Sequence, residues 1–398
     1  MTWVLVTICA VFLLMAILFL SAVKKKNMDS WLWPYVKQSL FGKGAQTQKT
    51  QHVMFCFVDH FEPQWRNDDI DVERARVDRW FNDYPEMAKQ HTDADGHHPK
   101  HCFFYPEEEY RHEHLAKLSD ICYRGFGEIE IHLHHEDDTA ENLAKVLTQF
   151  ATTLHQEHSA LPVHPETGQV QYAFIHGNWA LDNSLPGGIH CGVDNELKVL
   201  RETGCYVDMT LPCAPSPAQT SKINSIYYAT GVDGQSKSHN KGVDVEVGKQ
   251  ASGDLMLIQG PIGLNFKWKT ASGMPHIENS DVRKTAPPLD IRVDQWVKTN
   301  IHVKGRPEWS FIKVHTHGTQ EEDMNTLLGE ARHNMHSYLE NNFNDGEKYS
   351  LHYVSAREMY NIVKAAEAGE SGNPNQYRDF LLPKPSFKPL QVESSNGE

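Results

Sequence analysis

EIEIHLHHEDD, residues 128–138, alternates Glu128, Glu130, His132 and His134 with Ile129, Ile131 and Leu133. In a strand these two sets point to opposite faces. Three histidines and five carboxylates within this stretch are unusual for a strand on a protein surface. They suit a barrel strand, with aliphatic residues against outer helices and polar ones in the lumen or at its mouth. His135, Glu136, Asp137 and Asp138 then fall on the following loop, where such barrels keep their chemistry. Imidazoles and carboxylates this dense are ligands for a divalent ion of the zinc, nickel or manganese kind. The plain alternative is a charged, solvated strand end.

Other segments repeat the pattern of a buried run ending in polar residues. HVMFCFVDHFEP (52–63) reads as a strand stopped by Pro63, with Asp59, His60 and Glu62 at its exit. Asp59 shares the parity of Phe55 and Phe57, which aims it into the barrel mouth. VERARVDRWFNDYPEMAKQ (72–90) has helical spacing, and HCFFYP (101–106) is a second buried strand. QYAFIHGNWALDNS (171–184) is a further strand, with His176, Asn178 and Trp179 at its exit. Gly177 there allows close approach of a ligand to backbone. A helix over 194–203, stopped by Gly204, leads to the strand CYVDMTLP (205–212). Between about 213 and 295 the rhythm breaks into a loop with a β-hairpin insertion. EWSFIKVHTHG (308–318) restores it, with Lys313, His315 and His317 on one parity. YSLHYVSA (349–356) is the last strand and 357–367 the last helix.

Strand and helix in alternation, with polar strand exits, predict an α/β fold of the distorted (β/α)-barrel kind over residues 52–368. Residues 369–398, rich in Gly, Pro, Ser and Asn, are expected to form a flexible tail.

The N-terminus carries a different signal. Residues 3–23 are apolar and uncharged and are followed by Lys24, Lys25 and Lys26. At 1.5 Å per residue they span roughly 30 Å, about one bilayer core. A cleaved signal peptide carries its charge before a shorter apolar run, so residues 1–26 read as a single-pass transmembrane anchor, in the inner membrane if the source is bacterial. The lysines after the span place the body on the cytoplasmic side. Residues 27–51 are a juxtamembrane segment, with Trp31, Trp33 and Tyr35 suited to the lipid interface. Seven cysteines without paired spacing fit reduced core thiols. A net charge of -14 with 39% hydrophobic residues describes an acidic globule and argues against nucleic acid as a partner. The 24 histidines, many paired, favour metal or proton-transfer chemistry.

In the order of its motifs, 52–365 resembles the polysaccharide deacetylase family (the NodB-homology or carbohydrate esterase family 4 domain). FVDHF (57–61) stands where that family has Thr-Phe-Asp-Asp-Gly. HCFFYP is similar to its Ala-Thr-Phe-Phe strand, and GEIEIH (127–132) to its Gly-His-Glu-Ile-Gly-Asn-His segment. HGNW (176–179) occupies the place of Arg-Pro-Pro-Tyr without matching it, and SFIKVH (310–315) resembles Leu-x-Leu-x-His. The resemblance implies Asp59 as catalytic base, His315 as catalytic acid and His132 as a metal ligand. His60 replaces a metal-binding aspartate. The second family histidine falls at Glu136, so His134, His135 or Glu136 itself completes the site.

These readings imply one divalent ion, zinc first, with nickel, cobalt or manganese as the alternatives. They imply a metal-dependent hydrolase that removes an N-acyl group from an amino sugar of a cell-envelope polysaccharide or its lipid-linked precursor. His176, Asn178, Trp179 and His317 are the expected substrate contacts, and other polysaccharide-assembly proteins are the expected partners. A glycoside hydrolase using Asp59 with Glu62 or Glu128, and an inactive carbohydrate-binding protein of an export complex, are the alternatives.

Overall fold

The computed structural model, which describes residues 2–41 and 49–390, is a mixed α/β fold on a mostly parallel sheet. Its strands are β1 (Gln51–His60), β2 (His101–Pro106), β3 (Gly127–Leu133), β4 (Tyr172–His176), β5 (Cys205–Asp208), β6 (Ile226–Ala229), β7 (Val243–Asp244), β8 (Leu255–Ile258), β9 (Gly263–Lys269), β10 (Pro275–Glu278), β11 (Trp309–Thr316) and β12 (Tyr349–Tyr353). The helices are α1 (Thr2–Lys25), α2 (Leu32–Phe41), α3 (Ile70–Ala88), α4 (His112–Tyr123), α5 (Ala140–His158), α6 (Glu196–Thr203), α7 (Asp290–Thr299), α8 (Glu321–Leu327), α9 (Glu330–Phe343) and α10 (Ala356–Ala368).

The sheet runs β11-β1-β2-β3-β4-β5-β8-β6-β7, parallel as far as β8 and antiparallel beyond it. Helices α3 to α6 are the crossovers that parallel neighbours require. Two strands share one side of β1: β12 pairs with Gln51–Phe55 and β2 with Phe57–His60. Local signals set several ends. Thr139 caps α5 through the Asn142 N–H, Ser355 and Glu358 form a capping box on α10, and Gly204 ends α6 at φ 107°.

Period-two alternation divides the sheet into two apolar layers. Phe55, Phe57, Ile129, Ile131 and Leu133 join the layer that holds Trp80 and Tyr84 of α3, Leu115 of α4 and Leu143 of α5. Met54, Cys56, Val58, Phe104 and Ile175 join the layer of Met359, Ile362 and Val363 from α10. On β3, Glu128 and Glu130 lie opposite the isoleucines, and both are committed to structure. Glu128 pairs with two guanidinium nitrogens of Arg357, at 2.9 and 3.1 Å. Glu130 accepts from the Tyr206 hydroxyl and from the Ala173 N–H at 2.6 Å.

Four expectations are corrected. Asp59 shares the parity of Phe55 and Phe57, and that parity faces the helix layer, so Asp59 lies beneath the strand ends and is fully buried. The segment expected as an insertion contains the β9–β10 hairpin, yet β6, β7 and β8 extend the main sheet, because Leu257 pairs with Asp208. Trp31 does not lie at a lipid interface. It is fully buried with Val23, Met28, Ala214, Ile223 and Ile262, which docks the end of α1 on the body. Trp33 stays exposed at 71%. Residues 370–390 pack on the body instead of forming a flexible tail. Leu382 and Phe387 are buried, and Asn361 and Arg357 hold the carbonyls of Arg378 and Leu382. The rest of the expected tail, 391–398, lies outside the described residues. Helix α1 is long and apolar enough to cross a membrane.

Candidate metal centre

At the C-terminal ends of β1 and β3, His60, Glu62 and His132 offer ligand atoms that all lie within 4.8 Å of one another, and all three residues are buried. Strand parity brings the two imidazoles to the same face, and their ring centroids are 4.8 Å apart. Glu62 returns from the turn after β1, which is tied down by the Thr319 hydroxyl on the Glu62 carbonyl at 2.6 Å. Glu62 Oε1 is 3.1 Å from His132 Nε2 and 3.4 Å from His134 Nε2. Its Oε2 is buried and has no hydrogen-bond partner, a costly arrangement for a carboxylate unless something else satisfies it.

The tautomer of His132 is set by its surroundings. Nδ1 lies 2.7 Å from the Ile175 carbonyl, which can only accept, so Nδ1 carries a proton; Nε2 faces Glu62 Oε1 at 3.1 Å, donating to that carboxylate when no ion is bound and free to turn its lone pair to an ion that displaces the proton. A backbone carbonyl on the far ring nitrogen is the usual support of a metal-binding imidazole. Burial, then the neighbouring His317 and His132 rings, holds His60 well below the ordinary histidine range. Burial works to raise the Glu62 carboxyl, but hydrogen bonds from His132 and His134 overcome it and leave the group well below the carboxylate range. Two imidazoles and one carboxylate, three protein ligands that leave a coordination position free, match the donor set of a catalytic divalent-metal site.

Above the three residues, His317 stacks on His60 with centroids 4.5 Å apart at 13°. Trp179 lies edge-on to both, at 6.1 Å from His60 and 5.7 Å from His317. Asn178 and Trp179 hold left-handed backbone, φ 52° and 56°, a conformation rare for a bulky residue and concentrated at functional sites. His315 is buried 6.5 Å from the His60 ring, with Nδ1 unpartnered.

The remaining candidates separate. His134 sits at the rim, its Nδ1 2.5 Å from Glu108. Burial alone would lower it, but Glu108 and Glu62 outweigh that and raise the imidazole to about 10. A Cβ on Gly177 would come within 2.3 Å of the His134 ring, so that glycine makes room for a side chain. His135 and His176 leave the centre and meet each other instead, Nε2 to Nε2 at 2.9 Å. Glu136 is on the surface, 3.5 Å from His190.

Asp59 accepts from the Gly318 N–H at 2.6 Å and from His101 Nε2 at 2.8 Å. Arg332 lies 3.3 Å from His101 Nδ1. Because arginine can only donate, the His101 proton is on Nε2 and points at Asp59. Glu62, read at the strand exit and as a carboxylate of the glycosidase alternative, was not among the expected metal ligands. Its two-residue spacing from His60 at a strand exit was the available signal. His101 was read as the first residue of the buried strand 101–106.

No protein-family model matches the chain, and no curated protein shows significant similarity to it.

Proposed function

We propose that this chain is a membrane-anchored, metal-dependent hydrolase of the polysaccharide deacetylase type, acting on the N-acyl group of an amino sugar. The observation that carries the reading is the open His60–Glu62–His132 set beside His317 and Trp179. A divalent ion held there, zinc first, would polarise the acyl carbonyl and lower the pKa of water. His132 is oriented by the Ile175 carbonyl, and Glu62 supplies the negative charge. His317, stacked on His60, takes the proton of the attacking water in place of Asp59, both of whose oxygens are occupied. The motif implies that His315 gives a proton to the leaving amine; because burial, then Lys313 and His317, holds its imidazole well below the ordinary histidine range, the proton it delivers would be the one His317 takes from the water. Trp179 offers an indole face for a sugar ring, and Asn178 lies exposed beside it.

The barrel form of the fold belongs to the same proposal. Lys313 of β11 donates to the carbonyls of Met209 and Leu211, at 2.8 and 2.6 Å. These contacts bring β11 close to the residues that follow β5, as a closing sheet would. The glycoside hydrolase alternative is disfavoured, because Glu128 is committed to Arg357 and Asp59 faces the helix layer.

The test uses the full-length protein in detergent, loaded with zinc, and N-acetylated glucosamine oligosaccharides. Free amine and acetate should form, stop with a chelator, return with the metal, and be lost in Glu62→Gln. Cleavage of glycosidic bonds in the presence of chelator, or no amine from a metal-loaded protein, would overturn the reading.

A further inference from the structure

Next to the open centre is a second group of ligands with a different character. His135 follows β3, His176 ends β4, Cys191 lies in the loop before α6, and Glu196 is the first residue of α6. Their ligand atoms lie within 4.8 Å of one another, and His176, Cys191 and Glu196 are buried. His135 Nε2 is 2.9 Å from His176 Nε2 and 3.2 Å from Glu196 Oε1. His176 Nε2 is 3.3 Å from the same oxygen, and Cys191 Sγ is 3.6 Å from Glu196 Oε2. A tetrahedral zinc with bonds of about 2.0–2.3 Å has ligand–ligand edges of about 3.3–3.7 Å. The observed separations fall close to that shell.

The outer contacts point the same way. His176 Nδ1 is 2.6 Å from the Gly177 carbonyl, so it holds the proton and Nε2 turns its lone pair inward. His135 Nδ1 faces Asp138 Oδ2 at 3.2 Å. Glu196 Oε2 accepts from the Asp182 N–H at 2.5 Å. His176 thus has an oxygen behind it and its Nε2 in front, the arrangement that fixes metal ligands, while His135 Nδ1, buried without a hydrogen bond, has the Asp138 carboxylate within reach. Without an ion, only a proton on His135 could reconcile two facing Nε2 atoms, and the Cys191 thiol would serve only as a weak donor.

We propose that His135, His176, Cys191 and Glu196 form a second metal site, closed by four protein ligands and structural in kind. Two imidazoles, a thiolate and a carboxylate balance the charge of a divalent ion, and binding releases the Cys191 proton and displaces the one on His135 Nε2. The open centre has three protein ligands, as catalytic sites do, whereas this one has four. It ties the loop after β3 and the 177–195 loop to the start of α6. The 177–195 loop carries Asn178 and Trp179, so the ion fixes the backbone that borders the open centre. The inference does not depend on the reaction proposed above.

The test is cobalt substitution of the full-length protein in detergent, stripped of metal and titrated with Co(II). The wild-type protein should bind about two ions per chain and develop a thiolate-to-cobalt charge-transfer absorption, since the site has one thiolate among four ligands. Cys191→Ala should abolish that absorption and retain about one ion, bound at the open centre. His132→Ala should lose one ion and keep the absorption. A wild-type protein without the absorption overturns the proposal however the variants fold, and so does a Cys191→Ala protein that keeps it. One ion with the absorption, lost in Cys191→Ala, supports this site and tells against the open centre instead.

Discussion

Asp59→Asn separates a catalytic base from a structural acceptor. The two oxygens of Asp59 accept from the Gly318 N–H and the His101 Nε2–H, and Arg332 on Nδ1 holds His101 in that tautomer. An asparagine keeps one acceptor and turns its amino group on the other donor. Whichever way the amide lies, a buried N–H meets another N–H, and His101 cannot relieve it by moving its proton to the nitrogen that faces Arg332. One unsatisfied buried donor costs about 1–3 kcal/mol, and two are opposed here, so a loss of about 2–6 kcal/mol follows. The pocket cannot open around the change, because a Cβ on Gly318 would already lie 2.0 Å from Asp59 Oδ2. Urea unfolding followed by tryptophan fluorescence should show a lower midpoint with an unchanged slope. Metal content and turnover per folded molecule should stay close to wild type. The reasoning is refuted if Asp59→Asn keeps its midpoint but loses the about 10²–10⁴-fold in rate expected when a general base is removed.

Arg357→Met should destabilise by about 3–5 kcal/mol, because Glu128 would be left buried without its counter-charge. Asn361 still serves the Arg378 and Leu382 carbonyls, so adding Glu128→Gln should restore part of the loss, and a double variant no more stable than Arg357→Met would count against the ion pair. Trp31→Ala empties a fully buried site at a cost of about 3–5 kcal/mol, and limited proteolysis should then cut between α1 and α2 faster than in wild type; an unchanged rate would mean that the end of α1 is not docked. Burial holds His52 and His158 down at about 4, helped by His352 and His112 respectively. Their folded values lie below the unfolded one, so the stability they contribute is present above about pH 6.5 and is lost as the pH falls toward 4; thermal unfolding across that range should show this decline, shallower in His52→Gln. With Lys24–Lys26 after the apolar helix, protease added to intact spheroplasts should spare the body, and its digestion while cytoplasmic markers survive would reverse the orientation.

Much of the fold was legible because it rests on local periodicity. The alternation in 128–134 determined that Glu128, Glu130 and His132 oppose Ile129 and Ile131, and the structure keeps that division. Gly204 ends α6 where backbone freedom requires, as the sequence predicts, whereas Ser355, read as part of the last strand, caps α10 instead. Length and composition alone marked α1 as long enough for a bilayer. Parity, however, states only that two sets face opposite ways. Which set faces the helix layer depends on what packs above it, and for β1 that was decided by Trp80, His101 and Gly318, remote in the chain, which claim Asp59 and leave His60 to the open centre. The same holds for the histidines of 132–135. Their spacing suggests a single site, but the chain turns after Leu133, so His132 meets Glu62 while His135 meets His176, Cys191 and Glu196. Glu62, Cys191 and Glu196 lie on turns and at a helix start, where no periodicity points a side chain. Their convergence comes from the parallel sheet, which sets the C-terminal ends of β1, β2, β3 and β4 side by side and so gathers the residues that follow them.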